Sequence, residues 1–227
     1  MSTFEFNYAS LAGVYERESE RCVPGYRDEL LPIVIAALHM PDNATVLDLP
    51  CGPGTFSEAI LQKYEPKRLH CVDGTDAMLE LCKDRLQEFG SRVVFQLADV
   101  FSYQPPEDLD RVFCGMFLHL FDCEKKKKIL EMIVHHMKSG SQLVLTDVIR
   151  HADSAMQREQ LRIRTEFALV RGADQNLLDA AYAMEQLQSV TVEELGALLH
   201  EVGLTSIRLL WMRTTFAAIS AAKPSFS

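Results

Sequence analysis

No stretch of this chain approaches about 18 uncharged apolar residues, and no charged-then-apolar segment opens it. Those two absences exclude a membrane-spanning helix and lead us to expect a soluble, cytoplasmic protein with no membrane partner. Positive charge is also scarce: 23 Lys and Arg stand against 32 Asp and Glu, a formal net charge of −9. That balance argues against a broad nucleic-acid footprint, which needs a basic surface, while leaving room for a small local basic patch. The six cysteines, at 22, 51, 71, 82, 114 and 123, include no C-x-x-C pair. Several fall inside predicted strands or helices, so buried, reduced thiols are expected, as in a cytosolic compartment. No triad and no metal-ligand cluster is displayed, and no metal is expected. Internal repeats and low-complexity segments are missing too.

What is there is alternation. The chain has 227 residues, 48% of them hydrophobic, a length and composition suited to one compact α/β domain. Strands are predicted at 44–49, 68–73, 92–97, 111–116 and 142–148, with helices between them. The first helix spans 55–64. The second carries Met78, Cys82, Leu86 and Phe89 at near-helical spacing before Gly90. A third starts after Asp122 and buries Leu130, Ile133, Val134 and Met137. Its Lys125–Lys128 run is read as a solvated face, and His135 and His136 as surface or helix-end groups. Such alternation predicts a doubly wound, mostly parallel sheet with helices on both faces.

Residues 152–188 break the pattern with two helical segments joined near Gly172-Ala173-Asp174. Alternation resumes at Thr191, which forms a capping box with Glu194 and a staple between Val190 and Leu195. Two closely linked strands near 204–211 and 214–221 follow, expected to be antiparallel. Pro32, inside an otherwise helical 28–39, predicts a helix that starts late or bends.

Three successive strands end in aspartate: Asp48 in Val46-Leu47-Asp48-Leu49-Pro50-Cys51-Gly52-Pro53-Gly54-Thr55-Phe56, Asp73 in Leu69-His70-Cys71-Val72-Asp73-Gly74, and Asp99 before Val100. The first runs into a glycine-containing turn and a helix start, which lets the backbone approach a nucleotide-like ligand closely. This combination resembles the class I S-adenosylmethionine (SAM) dependent methyltransferases. The likeness covers roughly residues 10 to 220. Pro50 departs from the glycine usual there, removing a backbone donor. The resemblance implies a Rossmann-like seven-stranded sheet whose N-terminal 40 residues and 152–188 insertion form a helical lid. It also implies SAM as cofactor, S-adenosylhomocysteine as product and a small-molecule substrate, in a monomer or homodimer.

Carried onto this sequence, the resemblance points to Tyr15, Asp48, Pro50, Cys51, Gly52, Gly54, Thr55, Asp73, Gly74, Met78, Asp99, Val100 and Met116 around the cofactor. A carboxylate suits a ribose diol because it accepts two hydroxyl hydrogen bonds, and Asp73 takes that role. Asp99 suits the adenine amine, with the Val100 N–H as donor to the ring. Asp48 is placed to order the glycine turn and, through it or water, the methionine ammonium group. Tyr8, Tyr26, Phe117 and Asp147 are the candidates facing the substrate. His119, in Leu118-His119-Leu120, is the candidate general base; the alternative is a histidine that orients its loop. Methyl transfer itself needs positioning and exclusion of water more than a protein nucleophile.

The leading expectation is methyl transfer from SAM to an O, N or C atom of a small metabolite. Two alternatives stay open, the first a tRNA-directed transferase using SAM or carboxy-SAM. Val23-Pro24-Gly25-Tyr26 is similar to the N-terminal region of the wobble-uridine tRNA carboxymethylating enzymes, which use carboxy-SAM. A cation would then have to meet the extra carboxylate, with Arg158, Arg162 and Arg164 as candidates, though arginines so spaced read as a solvated face. The second alternative is a SAM-binding protein of this fold without transferase activity.

Overall fold

The computed structural model describes residues 12–225. Seven strands form one sheet: β1 (Thr45–Asp48), β2 (Arg68–Asp73), β3 (Val93–Leu97), β4 (Leu109–Gly115), β5 (Met137–Val148), β6 (Thr205–Arg213) and β7 (Phe216–Ala222). Their order is β3-β2-β1-β4-β5-β7-β6. The first five pair in parallel, and β7 runs antiparallel to both β5 and β6. The expected doubly wound, mostly parallel sheet with an antiparallel last strand is therefore present.

Eight α-helices are described: α1 (Tyr15–Cys22), α2 (Leu31–Ala37), α3 (Thr55–Lys63), α4 (Asp76–Leu86), α5 (Cys123–His136), α6 (Ser154–Val170), α7 (Gln175–Gln188) and α8 (Val192–Glu201). Successive strand side chains point to opposite faces, and both faces are filled. Leu47, Val112, Cys114, Leu143 and Leu145 pack with Ile129, Leu130 and Ile133 of α5 and Leu195 and Leu199 of α8. On the other face Phe113 and Val144 meet Val34 and Ile35 of α2 and Phe56 and Ile60 of α3. The Phe56 and Phe113 rings stack at 4.4 Å. Each fully buried aliphatic or aromatic side chain contributes about 1.5–3 kcal/mol, so this two-sided core fixes where the strand ends lie.

Local signals explain the helix ends. The Asp122 carboxylate accepts the Lys125 N–H at 2.8 Å and caps α5. Thr191 and Glu194 form the reciprocal capping box of α8. Pro32 sits in the first turn of α2, where its missing N–H is harmless, after a π-helical turn over Tyr26–Leu30. α6 and α7 come between β5 and α8 in the chain and are joined by Arg164 to Glu185 and Thr165 to Tyr182 hydrogen bonds. The chain leaves and returns at one place, since Ile149 bridges Val190 and the Arg150 N–H bonds the Val190 carbonyl at 3.0 Å. Among the described residues no helix is long and apolar enough to cross a membrane.

Candidate active site

The sheet reverses its strand order between β1 and β4, and a crevice opens at their C-terminal ends. A cavity of ≈ 250 Å³ fills it. Its walls come from the turn after β1 (Pro50, Cys51, Gly52, Thr55), from β2 and α4 (Asp73, Gly74, Met78), and from the loop after β3 (Asp99, Val100). β3 itself ends at Leu97, two residues short of the aspartate expected to close it. Tyr15 and Met116 close it from outside the sheet, and Tyr26 and Phe117 also reach it. The turn needs its glycines: Gly52 and Gly54 have φ of 52° and 83°. A Cβ on Gly54 would lie 2.9 Å from the Cys82 sulfur of α4. The Leu49–Pro50 peptide is cis.

Asp73 organises this cavity. Its Oδ2 accepts the Gly52 N–H and its Oδ1 the Thr75 N–H, both at 2.8 Å, so β2 grips the turn after β1. Each oxygen keeps lone-pair capacity toward the cavity. Burial pushes the Asp73 carboxyl up, and the N–H groups of Thr75 and Gly52 pull it back. At the rim the Asp99 Oδ1 accepts the Phe101 N–H at 2.8 Å. Phe101 meets Phe121 edge-on at 5.4 Å and Phe121 meets Phe117 at 4.9 Å, so aromatic edges line that side.

A second cavity of ≈ 140 Å³ adjoins the first and shares Tyr15, Ser19, Val23 and Met116 with it. α1, α6 and α7 contribute most of its walls, Leu177, Leu178, Ala181 and Met184 being the apolar part from α7. His119 faces it from the short turn Leu118–Leu120 after β4. Its Nδ1 lies 2.6 Å from Asp147 Oδ1, and its backbone N–H bonds the same oxygen at 3.2 Å. Both side chains are buried. A carboxylate holding Nδ1–H fixes the tautomer whose Nε2 carries the lone pair. Arg164, also on this wall, grips Glu185 with two hydrogen bonds of 2.6 and 2.9 Å and donates to Thr215 at 2.9 Å. The guanidinium is sandwiched by the Tyr182 and Phe216 rings. It is the one cation on either cavity's wall among the described residues.

The structure thus gathers eleven of the thirteen cofactor candidates around one cavity. Asp48 and Gly54 lie behind its wall instead. The Asp48 carboxylate faces into the core, where it accepts the Ser57 hydroxyl at 2.5 Å and ties β1 to α3. Burial, then the neighbouring Cys71, push it well above the usual carboxylate range. Gly54 is the tight contact with α4 described above. Among the substrate candidates, Tyr26 and Phe117 belong to the first cavity, and Asp147 stands behind His119 rather than on a wall. Tyr8 lies outside the described residues.

Three charged or polar groups differ from their sequence reading. Arg164 is buried, unlike exposed Arg158 and Arg162. Lys126 is buried within the lysine run, and His136 is buried with Nδ1 on the Met132 carbonyl at 2.9 Å. The signal for Lys126 was present: it stands three and four residues before Ile129 and Leu130, on the stripe of α5 that faces the sheet. Arg164 stands four residues before buried Ala168, a weaker signal, and its partner Glu185 comes from another helix.

The donor set fits an adenosyl cofactor: a carboxylate with spare acceptor capacity at Asp73, open space beside Gly52, thioether walls at Met78 and Met116, and a carboxylate next to a backbone N–H at Asp99 and Val100. Residues 46–140 match a methyltransferase domain family. The carboxy-S-adenosyl-L-methionine synthase of Campylobacter lari is 26% identical over 192 residues, covering 83% of this chain and 80% of that protein. Two solved structures share the fold. Human N-acetylserotonin methyltransferase, in complex with SAM, superposes with a TM-score of 0.61 at 20% identity, covering 95% of this chain and 59% of that one. A Haemonchus contortus phosphoethanolamine N-methyltransferase gives 0.70 at 13% identity, covering 96% and 58%. The chain spans about six tenths of those two proteins. Residues 46–140 thus match a methyltransferase domain, and the sheet edge where these cavities open belongs to a fold that the chain shares with solved SAM-dependent methyltransferases.

Proposed function

We propose that the protein moves the methyl group of SAM to a small, uncharged acceptor seated in the second cavity. The observation that carries this reading is the His119–Asp147 pair on that cavity's wall. SAM, when bound, supplies a methyl group already activated for displacement. Asp73 then accepts the ribose hydroxyls, Asp99 and Val100 meet the adenine edge, and Met78 packs on its face. His119 Nε2 takes the proton of an acceptor hydroxyl or amine, and Asp147 stabilises the imidazolium that results. The four residues shared by the two cavities mark where donor and acceptor meet, and the apolar walls from α7 exclude water. In this reading α1, α6 and α7 act as the lid.

The charges on the second cavity's wall are already committed. Glu185 neutralises Arg164, Glu18 pairs with Arg21, and Asp174 caps α7. An acceptor with a free carboxylate or phosphate would find no uncommitted cation among the described residues. The six thiols without disulfides in the described residues suit a reducing, cytoplasmic setting.

A second reading follows from the Campylobacter lari relative, named as a synthase of carboxy-SAM. Arg164 Nε is buried without a partner, and a carboxylated reactant could claim that guanidinium if Glu185 moved. Mass spectrometry of the adenosyl product separates the two. Incubation with SAM and a panel of phenols, amines and carboxylated metabolites should release S-adenosylhomocysteine and a methylated acceptor. Conversion of SAM into a carboxylated sulfonium would replace the first reading with the second. His119→Gln should lower kcat for a hydroxyl acceptor by about 10²–10⁴-fold with little change in SAM affinity. An unchanged pH–rate profile in that variant would remove His119 from the role of base.

A further inference from the structure

α5 carries four consecutive lysines, and three of them lie in surface ion pairs: Lys125 with Asp122, Lys127 with Glu201 and Lys128 with Glu124. Lys126 is fully buried. Burying an ammonium is costly unless its protons are bonded, so the destination of its donors is informative. Nζ donates to the Phe121 carbonyl and, at 2.5 Å, to the Gln188 carbonyl. Phe121 closes the turn that holds His119, through its N–H to the Leu118 carbonyl at 3.0 Å. Gln188 is the last residue of α7, whose Leu178 and Glu185 line the second cavity. A cation there also meets the negative end of the helix dipole. One ammonium therefore joins the turn of the base to the end of the helix across the cavity from it.

The same ammonium feels the Asp147 carboxylate from β5, whose Oδ2 is buried without a partner. Burial pushes Lys126 down, and Asp147, Cys123 and Asp122 push it up. We propose that Lys126 is a positioning residue for His119, fixing its turn against α7 and balancing the charge of Asp147 behind it. Without that positive charge, Asp147 would favour the imidazolium more strongly and His119 would hold its proton to higher pH. The other charged or titratable groups facing His119 across the cavity are Arg164 from α6, Asp174 at the start of α7, Glu185 from α7, and Glu18, Cys22 and Tyr15 from α1, and the substitution changes none of these residues.

This inference rests on His119 being the base, but its test requires no acceptor and no turnover. The His119 imidazole is titrated by NMR in the parent, in Lys126→Met and in Lys126→Gln, with His119→Gln assigning the signal. The midpoint should rise by about half a pH unit or more in both variants, as loss of a nearby opposite charge to Asp147 requires. Amide exchange over residues 118–121 and 184–188 should quicken about tenfold in Lys126→Met, and less in Lys126→Gln, which keeps N–H donors. An unmoved midpoint in a folded variant would overturn the proposal, because a merely structural lysine would cost stability without altering the titration. In the parent itself, the Lys126 Nζ should give a slowly exchanging ammonium signal. A fast-exchanging one would sink the proposal whatever the variants do. If the midpoint shifts as expected and no methyl acceptor is ever found, it is the methyltransferase reading that fails.

Discussion

Asp73 and Asp48 end adjacent strands and are both buried, yet their surroundings give them opposite tasks. Asp73 has two backbone N–H donors and a cavity in front of it, so it is held in place with acceptor capacity to spare. Asp73→Ala should weaken SAM binding by about 2 kcal/mol, roughly thirtyfold in Kd by calorimetry. Unchanged affinity would mean that the ribose is held elsewhere. Asp48 has one hydroxyl partner, one orphaned oxygen and no cavity. Its carboxyl is raised, so folding favours the protonated form. The stability tied to that form is complete below the unfolded value of about 3.9 and is lost as pH rises through the folded one. Asp48→Asn carries no such charge, so its melting temperature relative to the parent should climb between mildly acid and alkaline pH. A flat difference across that range would show that Asp48 ionises without cost in the fold.

Among the elements, the strands were the most legible part, because parallel strands covered on both faces read as short apolar runs. β2 matches its sequence boundaries residue for residue, whereas β5 begins five residues earlier than the apolar run at 142. Lys138, Ser139 and Gly140 hide that extension, which pairs by way of an irregularity between Leu109 and Arg111. The first cavity was legible for the same reason the strands were, since its residues follow strand ends. The second was less so: its walls come from helices distant in sequence, and its buried ion pair links charged residues 21 positions apart. α1 shows how such elements are held. Glu16 at its start bonds both Arg27 and Arg85, and Arg85 donates to Thr55 on the cavity wall at 3.0 Å. The Arg85 hydrogen bond holds the Glu16 carboxyl below its usual range, against burial. This clasp is therefore present above the unfolded value of about 4.3 and lost as pH falls through the folded one. Glu16→Gln should loosen α1 by about 1 kcal/mol, allowing for partial exposure. Amide exchange over 15–22 should then be about fivefold faster. No change would assign the hold to the buried Val23 and Tyr26 instead.

At the scale of the whole molecule, the two cavities have different owners. The sheet and its strand-end loops supply most of the first, while α1 and α7 supply most of the second, with Arg164 from α6. α6 and α7 depart and rejoin at one point, where Ile149 and Val190 bridge. Residues 152–188 can therefore be replaced by a short glycine-serine linker without drawing β5 from α8. Lys126→Leu is needed alongside, since its ammonium would otherwise lose the Gln188 carbonyl and stay buried. The shortened protein should keep SAM affinity within about tenfold, the loss being the support α6 gives α1. Acceptor turnover should disappear, because the apolar wall that α7 gives the cavity in front of His119 goes with the insertion. SAM binding lost together with turnover would show that the insertion holds the cofactor as well, and that the two cavities form one undivided site.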